Sequence, residues 1–481
     1  MAARARLIPP QTVRTDWPWH QVKATSLHAS ILGKGDRRFE GGAYLASGYG
    51  IRLAFSERVG GWESLREIAR TWMPNRLKGV IVDKEYGYPY LSATQMLDLR
   101  PTPRRFLALS DAEAANLSVE PGTILVTRSG TVGRTALAHR LHEKTVLSDD
   151  LLRVVPKESK YWGWIYAYLQ SHSARQMMRS LHYGHMIKHL ETSHLDALPV
   201  PIIDDETARD FHESMTTMLA VRNRSFDLLL SAEALFEDAI GFNHKVAERE
   251  QAGFVVNSSD IAGRRRLEAT FYSSEASSIL QHFQNVGLRV EPLRKATDRV
   301  WWGARFRRVF GDGGVPYYSA DDLWTLNPKS SKSILLEHEN SADIDKYKVK
   351  AGWLIMACSG QTYGLNGSVD LVTGKLATSF LSHDLIRIMP KSTVRPGYLL
   401  VAMGHRTLGR PLFIRNAYGS SIPHLDPEDV ADSPLVRLPP DVESSIADAA
   451  EESVRGRHEA DELENALAEK AEAVIHAFLK G

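Results

Sequence analysis

The chain has 481 residues, 43% of them hydrophobic and 24% charged, a globular composition too long for one ordinary core and suited to two domains with connectors. The single cysteine, Cys358, excludes an internal disulfide framework. No apolar run is long enough to span a membrane and none follows Arg4 and Arg6 as a signal peptide would require, so a cytoplasmic location is expected.

In chain order, residues 1–35 form an N-terminal extension without a later counterpart. Residues 36–203 form a first globular block. A helix is expected over 62–72, short strands over 79–83, 123–127 and 151–155, and a second helix over 162–181. Pro199 and Pro201 close this block, and an acidic helix with its linker follows over 204–248. A second block, 249–439, repeats the order of the first and ends at Pro434, Pro439 and Pro440. A second acidic helix occupies 440–481. The fold class is therefore α+β, with two similar domains whose sheets are strongly twisted or barrel-like, each followed by a long helix.

The repeat is carried by five blocks in the same order. PGTILVTRSGTVG, beginning at Pro121, and KAGWLIMACSGQTYG, beginning at Lys350, place Ser129-Gly130 and Ser359-Gly360 230 residues apart. Arg38-Phe39-Glu40 with Tyr44 matches Arg266-Leu267-Glu268 with Tyr272. Pro89-Tyr90-Leu91-Ser92-Ala93 matches Pro316-Tyr317-Tyr318-Ser319-Ala320. SDDLLRVVPK from Ser148 matches SHDLIRIMPK from Ser382, and YGHMIKHLE from Tyr183 matches YGSSIPHLD from Tyr418. Offsets of 227 to 235 residues drift only as loop insertions would make them.

The long helices carry heptad seams. Phe211, Met215, Met218, Leu229, Ala232, Phe236 and Ala239 keep a 4-3 spacing, interrupted by Arg222 and Ser225. Leu463, Leu467, Ala471, Val474 and Phe478 do the same. Such helices either lie on their own domains or pair as an antiparallel coiled coil of about 50 Å, and two of them, one after each copy, favour pairing. Charge follows the same division. Residues 204–240 hold nine acids against three bases and residues 441–481 eleven against four, so the rest of the chain carries +14 within an overall net charge of +1. Basic globular blocks joined by acidic rods fit contact of the blocks with phosphate.

The copies also test candidate chemistry against each other. Cys358 corresponds to Arg128, which argues for a buried strand cysteine rather than a nucleophile. His185, His189 and His194 correspond to Ser420, His424 and Asp429, so only the middle histidine persists; a packing or DNA-facing imidazole fits better than a metal ligand. Asp149 or Asp150 with Glu158 and Lys160 resembles the carboxylates and lysine of a Mg²⁺ nuclease, but Asp384 and Lys391 lack the second carboxylate. No phosphate-cradling loop, cofactor fingerprint or Asn/Asp-Pro-Pro-aromatic tetrapeptide is present, and no catalytic residue, metal or cofactor is expected.

Recognition is what these residues leave. Arg128, Ser129, Thr131 and Arg134 in the first turn stand against Ser359, Gln361, Tyr363 and Asn366 in the second, different polar side chains on one frame. Arginine suits guanine, glutamine or asparagine adenine, and serine or threonine several bases. Tyr183, His185 and Lys188, with Tyr418, Ser420 and Ser421, make a second pair of candidate DNA-binding loops. Ordinary hairpin chemistry explains the glycines but not the side chains.

With these blocks, the Arg266-Leu267-Glu268 to Tyr272 segment and the domain–helix–domain–helix order, residues 36–481 resemble a DNA specificity subunit of a type I restriction–modification system, or of a related methylation-based phage-defence system. The resemblance implies a non-catalytic protein in which two target-recognition domains, 36–203 and 249–439, each read half of a split sequence in double-stranded DNA. It implies that the paired helices set the spacing and hold two adenine methyltransferase subunits, a restriction or translocase subunit being optional. The rival expectations are a self-sufficient nuclease built on Asp150, Glu158 and Lys160, and a protein scaffold that binds no DNA.

Overall fold

The computed structural model describes residues 11–14, 21–24, 44, 46–77, 79–181, 189–241, 255–259, 261, 266–305, 307–330, 332–335 and 347–481. Contacts divide the chain into two compact units, Met1–Ala220 with Glu462–Gly481, and Val221–Asp461. The divisions fall inside the two long helices rather than at residues 204 and 440, so each unit takes a segment of both.

Unit 1 contains the antiparallel pair β1 (Gln11–Arg14) and β2 (Gln21–Ala24). Its other strands are β3 (Trp62–Ser64), β4 (Ala69–Trp72), β5 (Val80–Val82), β6 (Tyr88–Leu91), β7 (Arg105–Ala108), β8 (Ile124–Thr127), β9 (Thr135–Leu137), β10 (Val146–Leu147), β11 (Leu151–Pro156) and β12 (Pro199–Pro201). They form an antiparallel sheet in the order β4-β11-β8-β9, a sheet β10-β6-β7-β5 in which β10 and β6 are parallel, and the pair β12-β3. The helix expected over 62–72 is corrected to one helical turn, Leu65–Ile68, between two strands. The apolar spacing is helical, but residues 62–64 are captured by β12 and residues 69–72 by β11, partners distant in the chain.

Unit 2 has β13 (Arg289–Pro292), β14 (Thr297–Trp302), β15 (Phe310–Tyr318), β16 (Lys332–Ile334), β17 (Leu354–Ala357), β18 (Val369–Leu371), β19 (Phe380–Leu381), β20 (Leu385–Pro390) and β21 (Pro434–Arg437). Its sheets run β14-β20-β17-β18, β16-β15-β19 with β15 and β19 parallel, and β13-β21. Apart from β5, these orders repeat those of the main sheets of unit 1 strand for strand. Among the described residues each unit holds several small sheets.

Each unit also buries one arginine at the same place. Arg153 on β11 donates to the carbonyls of Ser148, Leu151 and Leu147, and Arg387 on β20 to those of Ser382, Leu385 and Leu381. Burial pushes both guanidinium groups down to about 10. The carbonyls replace the hydration each cation has lost, and thereby fix the bend that leads into the strand.

The principal helices are α1 (Ser47–Ser56), α2 (Trp162–Gln170), α3 (His172–Leu181), α4 (Asp205–Ile240), α5 (Ser274–Asn285), α6 (Pro396–Gly404), α7 (Arg410–Ile414) and α8 (Pro440–Lys480). The single helix expected over 162–181 is broken at Ser171, whose extended ψ of 154° ends α2. In unit 1, Phe211, Met215 and Met218 of α4 share a core with Leu467, Ala471 and Ile475 of α8 and with Trp164 of α2. Leu463, Val474 and Phe478 lie half-buried at its margin, Phe478 stacking on Phe55 at 5.1 Å. In unit 2, Ala232, Phe236 and Ile240 meet Ile446, Ala450 and Val454 together with Tyr398 of α6; Leu229 is half-buried and is not a member of that cluster.

These seam residues therefore pack against a helix segment and against the globular part at once. Truncating a buried Phe to Ala in such a core costs about 3–5 kcal/mol. Glycines permit the close docking. A Cβ on Gly163 would stand 2.2 Å from the Phe211 carbonyl oxygen, and one on Gly397 2.6 Å from that of Ala447.

Arg222 and Ser225 do not interrupt the seam. Both are buried within unit 2, where Arg222 pairs with Asp461 at 3.0 Å and the Ser453 hydroxyl donates to the Ser225 carbonyl at 2.6 Å. Partner numbers fall along α8 as α4 advances, so these segments run antiparallel. Gly456, 3.3 Å from the Ser225 Cβ by its own added Cβ, keeps the approach close.

Candidate nucleic-acid interface

The two Ser-Gly turns have one backbone frame. In unit 1, β8 leads into Arg128, whose N–H donates to the Asp150 carbonyl at 3.0 Å and whose carbonyl accepts from the Leu190 N–H at 2.9 Å. In unit 2, the Cys358 N–H donates to the Asp384 carbonyl at 3.3 Å, and its carbonyl accepts from the Leu425 N–H at 2.9 Å. The following serine bridges to a histidine in both: Ser129 with His189, Ser359 with His424. In each case serine Oγ and imidazole Nδ1 share a hydrogen bond of 2.8 Å. Gly130 and Gly360, with φ of 74° and 115°, turn the chain where a side chain would be strained.

This clasp joins the two candidate loops that the sequence presents separately. Tyr183, His185 and Lys188 lie outside the described residues. Their counterparts are described: the segment from Tyr418 to His424 closes by paired backbone hydrogen bonds of 2.9 and 2.8 Å. It meets the second turn through the Gly360 N–H on the Pro423 carbonyl and the Gln361 amide on the Ser421 carbonyl. Gln361, Tyr363, Tyr418, Ser420 and Ser421 are exposed on the resulting surface, as Thr131 is in unit 1, while Ser129, Arg134 and Ser359 are half-buried.

Two candidates serve the frame instead of the surface. Asn366 is fully buried, and its amide donates to the Gly360 and Pro423 carbonyls at 3.0 Å each. Arg128 is 19% exposed and is held by Asp150 at 3.2 Å and Glu191 at 2.7 Å. Burial opposes its charge, but these carboxylates outweigh the penalty and raise its pKa. In this arrangement neither side chain is presented outward.

Around the Ser–His pair, Asp150 Oδ1 receives the Ser129 hydroxyl at 3.3 Å, and the Asp384 carboxylate accepts from the Ser382 hydroxyl. The other candidate groups are likewise committed. Lys160 pairs with Asp205 and Glu158, while Asp150 serves Arg128 and Ser129. His194 Nδ1 accepts the Glu191 N–H. Among the described residues no three His, Cys, Asp or Glu side chains gather as a metal site. Cys358 is buried, which pushes its thiol up to about 11.

The brace of the second turn is absent from the sequence reading. Arg410 of α7 donates to the carbonyls of Thr362, Gly364 and Asn366 at 2.8, 2.8 and 2.7 Å. Nothing local marks it. The persistence of histidine at 189 and 424 was the available signal for the clasp.

No helix among the described residues is long and apolar enough to cross a membrane. No protein-family model and no curated protein matches the chain. Among solved structures it is similar to the type IIG restriction endonuclease BpuSI, at 15% identity and a TM-score of 0.27, over 36% of this chain and 28% of that one. It is also similar to the HsdS subunit from Thermoanaerobacter tengcongensis, at 12% identity and a TM-score of 0.25, over 87% and 96%. A third likeness, at 12% identity and a TM-score of 0.32, is to the type I restriction–modification S subunit from M. genitalium, covering 87% of this chain and 94% of that one.

Proposed function

We propose that the chain is a non-catalytic DNA specificity subunit of a type I restriction–modification system or a related methylation-based phage-defence system. Each unit reads one half of a bipartite target in double-stranded DNA. α4 and α8 pair as an antiparallel coiled coil that spaces the half-sites. Two adenine methyltransferase subunits, with a restriction or translocase subunit as an optional addition, supply the chemistry. The observation that carries this reading is the repeated clasp: one backbone frame, built twice, displays Thr131 in one unit and Gln361 and Tyr363 in the other. A repeated frame with divergent exposed side chains suits two readers of different sequences. The uneven charge, basic outside the long acidic helices, supports the same reading.

The test is an exchange of residues 264–436 for the same region of a related chain, followed by mapping of methylated adenines in cells carrying the complete system. One half of the methylated motif should change and the other persist. A swap that alters both halves, or neither, contradicts the reading.

A further inference from the structure

A third element accompanies the turn in both units. Trp72 on β4 pairs with Arg153, and Trp301 on β14 pairs with Arg387, the buried arginine at the equivalent place. The two tryptophans therefore correspond, and the residues after them read Met-Pro-Asn-Arg76 and Trp-Gly-Ala-Arg305. Three of the four positions differ, while the arginine is retained. Arg76 approaches Asp149 at 4.0 Å with its side chain 88% exposed. Asp149 precedes Asp150, whose carbonyl receives the Arg128 N–H at the root of the first turn.

Arg305 stands the same four residues after its paired tryptophan in unit 2. It is exposed, and its charge, with that of Arg308, acts on His383, which precedes Asp384 at the root of the second turn. Burial chiefly, and these cations in addition, hold the His383 imidazole below its ordinary range, although Asp384 works in the opposite sense. A cation is thus placed beside each turn from a different strand. A purely solvated arginine gives no reason for its persistence where the three residues before it have changed.

We infer that Arg76 and Arg305 are a matched pair of DNA-backbone contacts, each engaging a phosphate beside the turn that its unit presents. A planar, permanently charged guanidinium suits a phosphate oxygen, and backbone contacts position a reader without contributing sequence information. The inference rests on the DNA-reading function proposed above and adds residues that set affinity rather than target.

The experiment measures binding of the full chain to a fluorescent random-sequence DNA duplex across a salt series, for the natural protein, the Arg76→Gln/Arg305→Gln variant and the Arg76→Lys/Arg305→Lys variant. Each phosphate contact removed should lower the slope of log affinity against log salt by about 0.9, so the Gln pair should lose about twice that and the Lys pair retain the natural slope. The motif methylated in cells should be unchanged in both variants. An unchanged slope in the Gln pair overturns the inference while leaving the DNA-reading function standing, as does an altered motif. A Lys pair that loses the slope as well assigns the effect to a disturbed fold and overturns it too. Failure of the natural protein to bind duplex at any salt concentration removes both readings together.

Discussion

The turns after β8 and β17 begin from the same frame and are braced in different ways. The first is held at its root by charge, Arg128 lying between Asp150 and Glu191. The second has Cys358 at that position and is held from within, by the Arg410 guanidinium on three loop carbonyls and by the Asn366 amide on two. Braces that differ while the Ser–His clasp stays the same leave the exposed side chains open to change. The longer loop needs an internal brace because a cation at its root cannot reach its tip.

Removing the internal brace should have the largest effect. Arg410→Ala leaves three carbonyls without their charged donor and should destabilise unit 2 by about 3 kcal/mol. Hydrogen exchange should accelerate at β17 amides and be unchanged at β8 amides; equal acceleration in both would erase the distinction between the braces.

The units should also separate by pH. Burial raises the Asp98 carboxyl from 3.8 to about 6, against Arg104 and Arg134, which lower it, whereas the corresponding residue in unit 2 is Thr325. A folded pKa above the unfolded one means that folding favours the neutral acid. The associated stability is fully present below about pH 4 and is lost as pH rises through about 6, a change of about 3 kcal/mol. Urea unfolding of Asp98→Asn should lack this dependence while the natural chain shows it.

A smaller effect belongs to the exposed surface. Gln361→Ala should weaken binding to the cognate duplex by about 1–2 kcal/mol, within the range of a bidentate base contact, because its amide must first leave the Ser421 carbonyl. Random duplex should be bound nearly as before; equal losses on both would assign Gln361 to the backbone. Smallest is the clasp itself. Ser129→Ala and Ser359→Ala should each cost about 1 kcal/mol in urea unfolding, Ser129→Ala somewhat more because that hydroxyl also donates to Asp150. A loss at only one of the two would show that the frame is not shared energetically.

Much of this was legible in the sequence because duplication supplies its own control. The buried strands before each Ser-Gly turn, the persistent histidine and the long helices all follow from comparing one half with the other. Arg222 and Ser225 were not legible as seam members: their partners Asp461 and Ser453 lie 239 and 228 residues away, and only pairing makes a buried polar side chain acceptable. Trp62 to Trp72 misled for a related reason, since strand capture by remote segments overrode a local helical spacing. Asn366 looked like a reader because composition cannot tell an amide that faces solvent from one that ties a loop.

The division of the chain has a consequence for its synthesis. Unit 1 contains residues on both sides of unit 2, and its core includes Leu467, Ala471 and Ile475. The ribosome therefore makes every residue of unit 2 before it makes the last side chains that unit 1 requires. Until then Phe211, Met215 and Phe55 lack part of their cover, and the first-made unit is the last that can be completed.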